Sequence, residues 1–290
     1  MTSLFAICLE KKRIVLRKFS LTDSATQSVF WLFTNQRTTF FDQHSGDVHE
    51  YNGRYTPDPK ELLFVSNVDE INELSEIFDK SAVDFEVIEP TSMHGYNIKA
   101  LMIESDGELL IQQFSKAQYL SKKRTIIPRA LDKKTVFDEI DKDGVVLGNK
   151  LCAVLQDGKL LFHREYYVRG FIGLTKIFRE ATENEIKGFF SNKIFEDADV
   201  NNLSESTSSL NRKKIFSILE SGQLDRGDAT SRIKQAAIDA QFQINWNNDK
   251  IIVPKNRRQL STLLSILDDK IARGLFSQQL HYVNSSRPFK

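Results

Sequence analysis

Residues 97–114, NIKALMIESDGELLIQQF, decide the fold class of this chain. Two runs of strand-forming apolar residues flank Asp106-Gly107, and an Asp-Gly pair between such runs is a strong signal for a tight β-hairpin. Residues 150–163, KLCAVLQDGKLLFH, repeat the pattern around Asp157-Gly158. The sequence therefore predicts two hairpins in the middle of the chain and a strand-rich region around them.

The N-terminal residues extend this strand-rich region. Residues 4–10, LFAICLE, and residues 13–19, RIVLRKF, predict two more strands joined by a lysine-rich turn. Thr22 or Asp23 can cap a helix that runs through residues 24–35. The order strand, strand, helix makes the first third of the chain a mixed α/β region.

Two further helices are predicted outside the hairpins. Residues 42–61 are rich in turn formers, and we expect a long loop there. Residues 67–81 predict an amphipathic helix that buries Ile71, Leu74 and Phe78. After the second hairpin, helical spacing predicts another buried face, made by Tyr167, Phe171, Leu174 and Phe178.

The last third of the chain is predicted to be mainly helical. The acidic, Ser/Asn-rich residues 196–209 are the best linker candidate, and would separate a domain of residues 1–195 from one of residues 210–290. Three helices follow, with a small hairpin at residues 242–254. The inward residues are Ile215, Ile218 and Leu219, then Ile233, Ala236, Ala237 and Ala240, then Leu260, Leu263, Leu264 and Leu267. The fold class is therefore α+β, a strand-rich α/β region with hairpins followed by a mainly helical region.

Composition limits the class of protein. The chain has 290 residues, 40% of them hydrophobic, with 21 Phe, which is enough for one large or two ordinary domains with a real core. Two cysteines suit a reducing compartment better than a disulfide-stapled secreted domain. The short apolar segment near the start does not resemble a signal peptide, and no run approaches the roughly 20 apolar residues of a membrane span. We expect a soluble cytoplasmic protein.

Charge is balanced overall but unevenly distributed. The chain has 40 Lys plus Arg against 39 Asp plus Glu. Residues 58–89 contain ten acids and two lysines, whereas residues 250–290 contain eight basic residues and two acids. Such segregation can produce a basic face opposite an acidic one, or folding can interleave the segments and remove the asymmetry.

Motifs for phosphate or metal chemistry are weak. The sequence has no Gly-rich phosphate loop followed by Lys-Ser/Thr and no GxGxxG fingerprint. His44 and His49 lie near Asp42, Asp47 and Glu50, which could suggest an oxygen/nitrogen metal site. A polar loop produces such a cluster by chance, so we assign no metal ligand and no cofactor. The two cysteines, at positions 8 and 152, lie in apolar strands and are expected to pack in the core.

Candidate catalytic acids have a structural explanation. Glu183 and Glu185 could be paired carboxylates, but Thr182 three residues before Glu185 forms a capping-box pattern at a helix start. A metal nuclease would need an Asp before a Glu-x-Lys pair. Residues 10–12 have no such Asp, and residues 185–187 lie on the capped helix. With no convincing nuclease, NTPase or hydrolase motif, we name no catalytic residue.

Basic residues lie where helix starts normally carry acids. Asn211 and Asn256 are each predicted to be an N-cap followed directly by cations, which opposes the helix dipole at a cost of a few tenths to about 1 kcal/mol per cation. A third cluster, in SKKRTIIPRALDKK at residues 121–134, flanks a predicted strand at residues 125–128. Backbone N–H groups together with cations form a natural phosphate site, unless these are three unrelated solvated patches. The candidate nucleic-acid-binding residues are Lys122, Lys123, Arg124, Arg129, Arg212, Lys213, Lys214, Lys255, Arg257 and Arg258.

Residues 158–190, GKLLFHREYYVRGFIGLTKIFREATENEIKGFF, resemble the family that includes KwaB of the Kiwa antiphage system. Residues 229–274 and the final HYVNSSRPFK at residues 281–290 resemble it too, and the likeness covers roughly residues 95–290. The resemblance implies a bacterial defence protein that binds DNA, self-associates as a homodimer, and works with a small membrane protein, KwaA. It supplies no catalytic motif, and none of the basic clusters matches a family signature.

Two functions follow as expectations. The first is a sequence-independent DNA-binding component of a Kiwa-like antiphage system, which holds phosphates through the basic clusters. The second is a protein–protein interaction module, whose basic surface docks an acidic partner or the cytoplasmic face of a membrane protein without binding nucleic acid. An enzyme is the least supported class.

Overall fold

The computed structural model describes residues 3–121, 125–131, 134–140, 143–196, 203, 207–283 and 285. The fold is α+β, with a strand-rich N-terminal region followed by a helical C-terminal region, as predicted. The chain forms two compact units. The first comprises Met1–Tyr51 and Pro57–Leu174, and the second comprises Asn52–Thr56 and Thr175–Lys290.

The first unit is built on an eight-stranded sheet. The strands of the whole unit, in chain order, are β1 (Leu4–Glu10), β2 (Arg13–Lys18), β3 (Val48–Glu50), β4 (Leu62–Val65), β5 (Ile98–Ser105), β6 (Glu108–Gln113), β7 (Tyr119–Leu120), β8 (Ile126–Leu131), β9 (Lys134–Glu139), β10 (Gly144–Val145), β11 (Ala153–Gln156) and β12 (Lys159–Phe162). The large sheet has the order β2-β1-β5-β6-β11-β12-β4-β3, while β7 pairs with β10 and β8 with β9. Only β3 and β4 pair in parallel among the described strands; the other pairs are antiparallel.

Both predicted Asp-Gly turns are present. Asp106 and Gly107 have φ of 53° and 78°, and Asp157 and Gly158 have φ of 50° and 70°. Positive φ at both central residues matches the right-handed twist of the strands that a two-residue turn connects. The turns fix the register, so that Ser105 pairs with Glu108 at the end of the first hairpin.

One face of the large sheet is covered by α1 (Asp23–Gln43). Thr22 caps this helix as predicted, and Val29, Phe33 and Phe40 pack in one core with sheet residues that include Leu101. The other helices of the unit are α2 (Asp69–Asp79), which packs beside β2, and the short α3 (Glu165–Val168).

The two cysteines are buried, as expected for core residues. Burial raises the pKa of the Cys8 thiol to about 11 and that of the Cys152 thiol to about 12. A thiol that stays protonated at neutral pH is neither a good nucleophile nor a metal ligand. Core packing is therefore the role that the structure gives both residues.

Periodicity misassigned two helical faces in this unit. The face of α2 buries Ile77, while Phe78 is 43% exposed. The predicted helix through Tyr167 and Phe178 is wrong, because α3 ends at Val168 and a 3₁₀ turn follows at Leu174–Lys176. Gly170 and Gly173 lie between them, and glycine weakens a helix interior by about 1 kcal/mol.

The predicted loop at residues 42–61 also needs correction. It contains β3 and, in residues 52–56, a segment of the second unit. Turn formers are dense on both sides of β3, and a strand of three residues is too short to show a period of two.

The second unit has one helical core. Its helices are α4 (Glu183–Phe190), α5 (Ser209–Ser221), α6 (Ala229–Asp239) and α7 (Arg257–Leu267), and its strands are β13 (Trp246–Asn247), β14 (Lys250–Ile251), β15 (Ile271–Arg273) and β16 (Leu280–Tyr282). The predicted hairpin is β13-β14, whereas β15-β16 was not predicted. Most of the predicted inward residues are buried, but Leu219 is 38% exposed and Phe216 is buried instead.

The division between units lies at Leu174/Thr175, not after residue 195. Ile186, Phe189 and Phe190 of α4 pack in the same core as α5 and α7, which places α4 in the second unit. Most of the predicted linker, residues 197–202 and 204–206, lies outside the described residues. Within the described part of the chain, no helix has the length and apolar character needed to cross a membrane.

Candidate nucleic-acid interface

A half-buried lysine joins α5 to α7. The Lys214 ammonium donates to the carbonyl oxygen of Ser261 at 3.0 Å, to its hydroxyl at 3.1 Å, and to the Ser265 hydroxyl at 2.7 Å. Burial lowers the pKa of Lys214, and the opposing charge of Asp268 counteracts part of that effect. With its protons directed at α7 oxygens, Lys214 has a structural role.

Two further contacts show that α5 and α7 run parallel. Beyond Lys214 along α5, the Arg54 guanidinium donates to Ser217 of α5 and, at 2.6 Å, to Asp268 after α7. Past the helix ends, the Gln223 amide donates to the Asp269 carboxylate at 3.1 Å. The contacts follow the same order along both helices, so both N-termini lie at one end. The positive ends of two helix dipoles therefore point the same way.

The start of α7 has the predicted form. The side chain of Asn256 caps the helix by accepting from the N–H groups of Arg258 at 2.9 Å and Gln259 at 3.2 Å. Lys255, Arg257 and Arg258 are exposed. The first turn of α7 contains no acid, so three cations stand at an uncompensated positive helix end.

The start of α5 differs from the prediction. Ser208 is the N-cap, whereas Asn211 is the third residue of the helix and only 2% exposed. The predicted Asn211 cap is therefore wrong, and the cations that follow it lie in the second turn. Ser and Asn cap helices almost equally well, so the sequence pattern could not choose between them.

Two of the three cations on α5 are engaged with the fold. The Arg212 guanidinium donates to the carbonyl oxygens of Thr207 at 3.1 Å and Ala181 at 3.4 Å. Lys214 packs against α7, as described above. Lys213 is exposed, with its ammonium 5.9 Å from the centre of the Phe178 ring. Of these three, Lys213 is the one placed to meet a solution ligand.

The predicted capping box at α4 is confirmed. Thr182 caps the helix and Glu185 accepts from the Thr182 N–H at 2.7 Å. The Arg179 guanidinium donates to both oxygens of the same carboxylate, at 2.6 and 2.5 Å. This interaction is the main reason that the pKa of Glu185 is lowered to about 2. Glu185 is thus fixed as a cap and ion-pair partner, which leaves no proton-transfer role for it.

The first basic cluster is only partly described. Lys122, Lys123 and Arg124 lie outside the described residues. Arg129 lies within β8, opposite Val136 of β9. The backbone confirms the predicted strand near residues 125–128, and binding by this cluster stays a prediction.

A polar cavity in the first unit gave no signal in the sequence. It has a volume of about 400 Å³ and lies over Phe40 and Cys152, with His44 and His163 on its wall, their ring centres 4.8 Å apart. Burial lowers the pKa of His44. A cavity of this size can hold a small polar molecule. Its residues come from α1, from the segment before β11, and from residues that follow β12, so only the folded chain brings them together.

The cavity also contains a polar pair. The Lys150 ammonium donates to the Tyr167 hydroxyl at 3.1 Å. Hydrogen bonds from Tyr166, and then from Lys150, lower the pKa of Tyr167. The pair can hydrogen-bond to a polar group that enters the cavity.

Comparisons with family models, with curated proteins and with solved structures found no match for this chain.

Proposed function

We propose that this chain is a sequence-independent DNA-binding component of a Kiwa-like bacterial antiphage system. One observation carries the proposal: Lys255, Arg257 and Arg258 are exposed together at the capped start of α7, where no acid compensates them. The positive end of a helix dipole and cations at the same place favour phosphate. The parallel start of α5 lies at the same end and adds a second dipole.

Phosphate contacts of this kind carry no base readout. Cations that neutralise backbone phosphates release counterions, which gives affinity without sequence preference. Among the candidates whose side chains the structure describes, Lys213 is the fourth exposed one, whereas Arg212 and Lys214 make hydrogen bonds within the fold. The resemblance in residues 158–190, 229–274 and 281–290 supports the remaining parts of the proposal, a homodimer and a small KwaA-like membrane partner that recruits the chain to the membrane's inner face.

An interaction module without DNA binding is the second candidate. On α1 of the first unit, Trp31 is 68% exposed and Phe30 is 37% exposed. Trp31 borders a shallow cleft of about 540 Å³, lined also by Val29, Leu32 and Leu147. Exposed aromatic residues beside an apolar cleft are typical of protein-binding surfaces. This surface suits an apolar segment of a membrane protein better than it suits phosphate.

Fluorescence anisotropy with labelled duplexes of two unrelated sequences tests the first candidate. We expect equal affinity for both, with log K falling linearly as log salt rises, by about 0.9 per phosphate neutralised. Absence of binding to any DNA form at low salt would eliminate DNA binding.

The Trp31→Ala variant separates the two candidates. For the DNA-binding protein, it should bind both duplexes as the wild type does, because Trp31 is remote in sequence from the basic helix starts and lies in the other unit. Loss of co-purification with a co-expressed membrane partner, with no DNA binding by either form, would favour the second candidate.

A further inference from the structure

Three metal-binding side chains meet at the parallel pair β3–β4. Val48 lies opposite Leu62, and the Leu62 N–H donates to the Asp47 carbonyl oxygen at 3.1 Å. Asp47 and Glu61 immediately precede these paired residues, and His49 follows Asp47 by two positions, on the same side of a strand. One nitrogen or oxygen atom from each of these three side chains lies within 4.8 Å of the others.

The surrounding contacts hold Glu61 in place. Its residue is 8% exposed, and one carboxylate oxygen accepts from the Asp58 N–H at 2.9 Å. Its carbonyl oxygen is bonded to the His163 ring at 2.9 Å. The other carboxylate oxygen lies 3.4 Å from His49 Nε2. Carboxylates that bind metals are typically held by hydrogen bonds of their own. Glu61 is held in this way, with one carboxylate oxygen towards His49.

The carboxylates of Asp47 and Glu61 are close enough to repel each other. Because Glu61 is buried, water stabilises its negative charge less than it stabilises that of Asp47. A divalent cation offsets that repulsion more fully than a single imidazole can. Asp47 is exposed, which gives an ion a path to the site. His44 is close to this cluster in sequence, but its ring packs against that of His163. The three candidate ligands therefore differ from the residues that their nearness in the sequence suggests.

We propose that Asp47, His49 and Glu61 bind one divalent transition-metal ion, with Zn²⁺ preferred over Mg²⁺. Imidazole is a good ligand for Zn²⁺, whereas Mg²⁺ favours oxygen ligands and retains its waters. Three protein ligands leave the fourth position of a tetrahedral Zn²⁺ open to water or to an anionic group. This site does not rest on the proposed DNA binding, because none of its three residues is a candidate phosphate-binding residue.

Isothermal titration calorimetry with the full chain, treated with EDTA and dialysed, tests the proposal. Titration with ZnCl₂ should show one site that MgCl₂ does not fill. His49→Ala and Glu61→Gln should weaken it at least about tenfold. His94→Ala is the matched control, since His94 is an exposed histidine 3.7 Å from Asp143 and should leave the Zn²⁺ site intact.

A second measurement guards against loss of fold. Zn²⁺ should raise the melting temperature of the wild type and of His94→Ala, because a ligand of the native state stabilises it, but not that of Asp47→Asn. The melting temperature of each variant in EDTA is the baseline from which its response to Zn²⁺ is measured. Zn²⁺ binding that survives all three ligand substitutions, binding by Mg²⁺ alone, or no binding at all would each overturn the site.

Discussion

The starts of α5 and α7 have similar sequences but different environments. Each has an asparagine followed by cations, and the helices run side by side in the same direction. On α5, the third cation is packed against the serines of α7, and the first donates to backbone carbonyls. On α7, Arg257 and Arg258 stand directly after the cap and are exposed. A basic helix start can thus be part of the fold or available to a ligand.

The distance of the cation from the cap explains this difference. Side chains tilt towards the N-terminus of their helix, so those directly after the cap can reach past the helix end, whereas those of the second turn lie along the helix, where a neighbouring element can cover them. The N-cap of α5 is Ser208, three residues before Asn211, so the cations of α5 lie in its second turn and not in its first. Of the cations at these two helix starts, those of α7 and Lys213 are therefore expected to contact phosphate.

The largest effect is expected at the residue that ties the two helices together. Arg54→Ala leaves Asp268, whose side chain is 3% exposed, without its ion-pair partner at 2.6 Å. Removing one member of a buried pair costs about 3–5 kcal/mol. Urea denaturation measures the loss, with Arg226→Ala as an exposed control within about 0.5 kcal/mol of wild type. A loss below about 1 kcal/mol for Arg54→Ala would show that α5 and α7 do not depend on this bridge.

Reversing one charge on each helix sharpens the comparison directly. Lys214→Glu replaces three hydrogen bonds with an acid near Asp268, and should cost more than about 2 kcal/mol. Arg257→Glu puts an acid in a first helical turn and should add about 0.3–1 kcal/mol. Thermal melts of the two variants provide the measurement. If both changes shift stability equally, the two starts do not differ as described.

The two caps should respond alike. Ser208→Ala removes the acceptor for the Asn211 N–H, and Asn256→Ala removes the acceptor for two N–H groups of α7. Each change should cost about 0.5–2 kcal/mol, measured by chemical denaturation. Tolerance of Ser208→Ala, with a clear loss for Asn211→Ala, would instead support Asn211 as the cap.

The cap of α4 gives a smaller, pH-dependent effect. The Arg179 pair lowers the pKa of Glu185 from 4.5 to about 2, so its stabilisation is present above pH 4.5 and disappears as pH falls towards 2. Glu185→Gln should cost about 1 kcal/mol at neutral pH, since the pair is about one-third exposed. Melting temperatures across this window should fall less steeply for the variant. An unchanged slope would contradict the assigned pKa.

Local signals predicted much of this fold. The Asp-Gly hairpins, the Thr22 cap, the α4 capping box and the leucine face of α7 depend on residues within one or two turns of each other. The prediction of a helix through Tyr167 and Phe178 was wrong because it used the spacing of the apolar residues alone and gave no weight to the two glycines among them.

Contacts between distant segments were beyond the sequence. Asn52–Thr56 belongs to the second unit because Arg54 reaches residues more than 160 positions away along the chain. Glu61 joins Asp47 and His49 only through strand pairing. The engagement of Lys214, which removes it from the candidate interface, likewise required the packing of α5 on α7.

A salt titration of DNA affinity tests the central claim most directly. The double variant Arg257→Ala/Arg258→Ala is compared with Lys193→Ala/Arg226→Ala, which removes the same charge from exposed residues at the opposite end of α5 and α7. That placement follows from Asn192, whose amide lies 3.4 Å from Asp225, just past the end of α5.

The account predicts that the first variant flattens the slope of log K against log salt by about one unit for each phosphate that it no longer neutralises, while the control keeps the wild-type slope. The control should melt as the wild type does, and the first variant at the same or a slightly higher temperature, because two cations no longer oppose the helix dipole of α7. Equal slopes for the two variants would contradict phosphate binding at the start of α7.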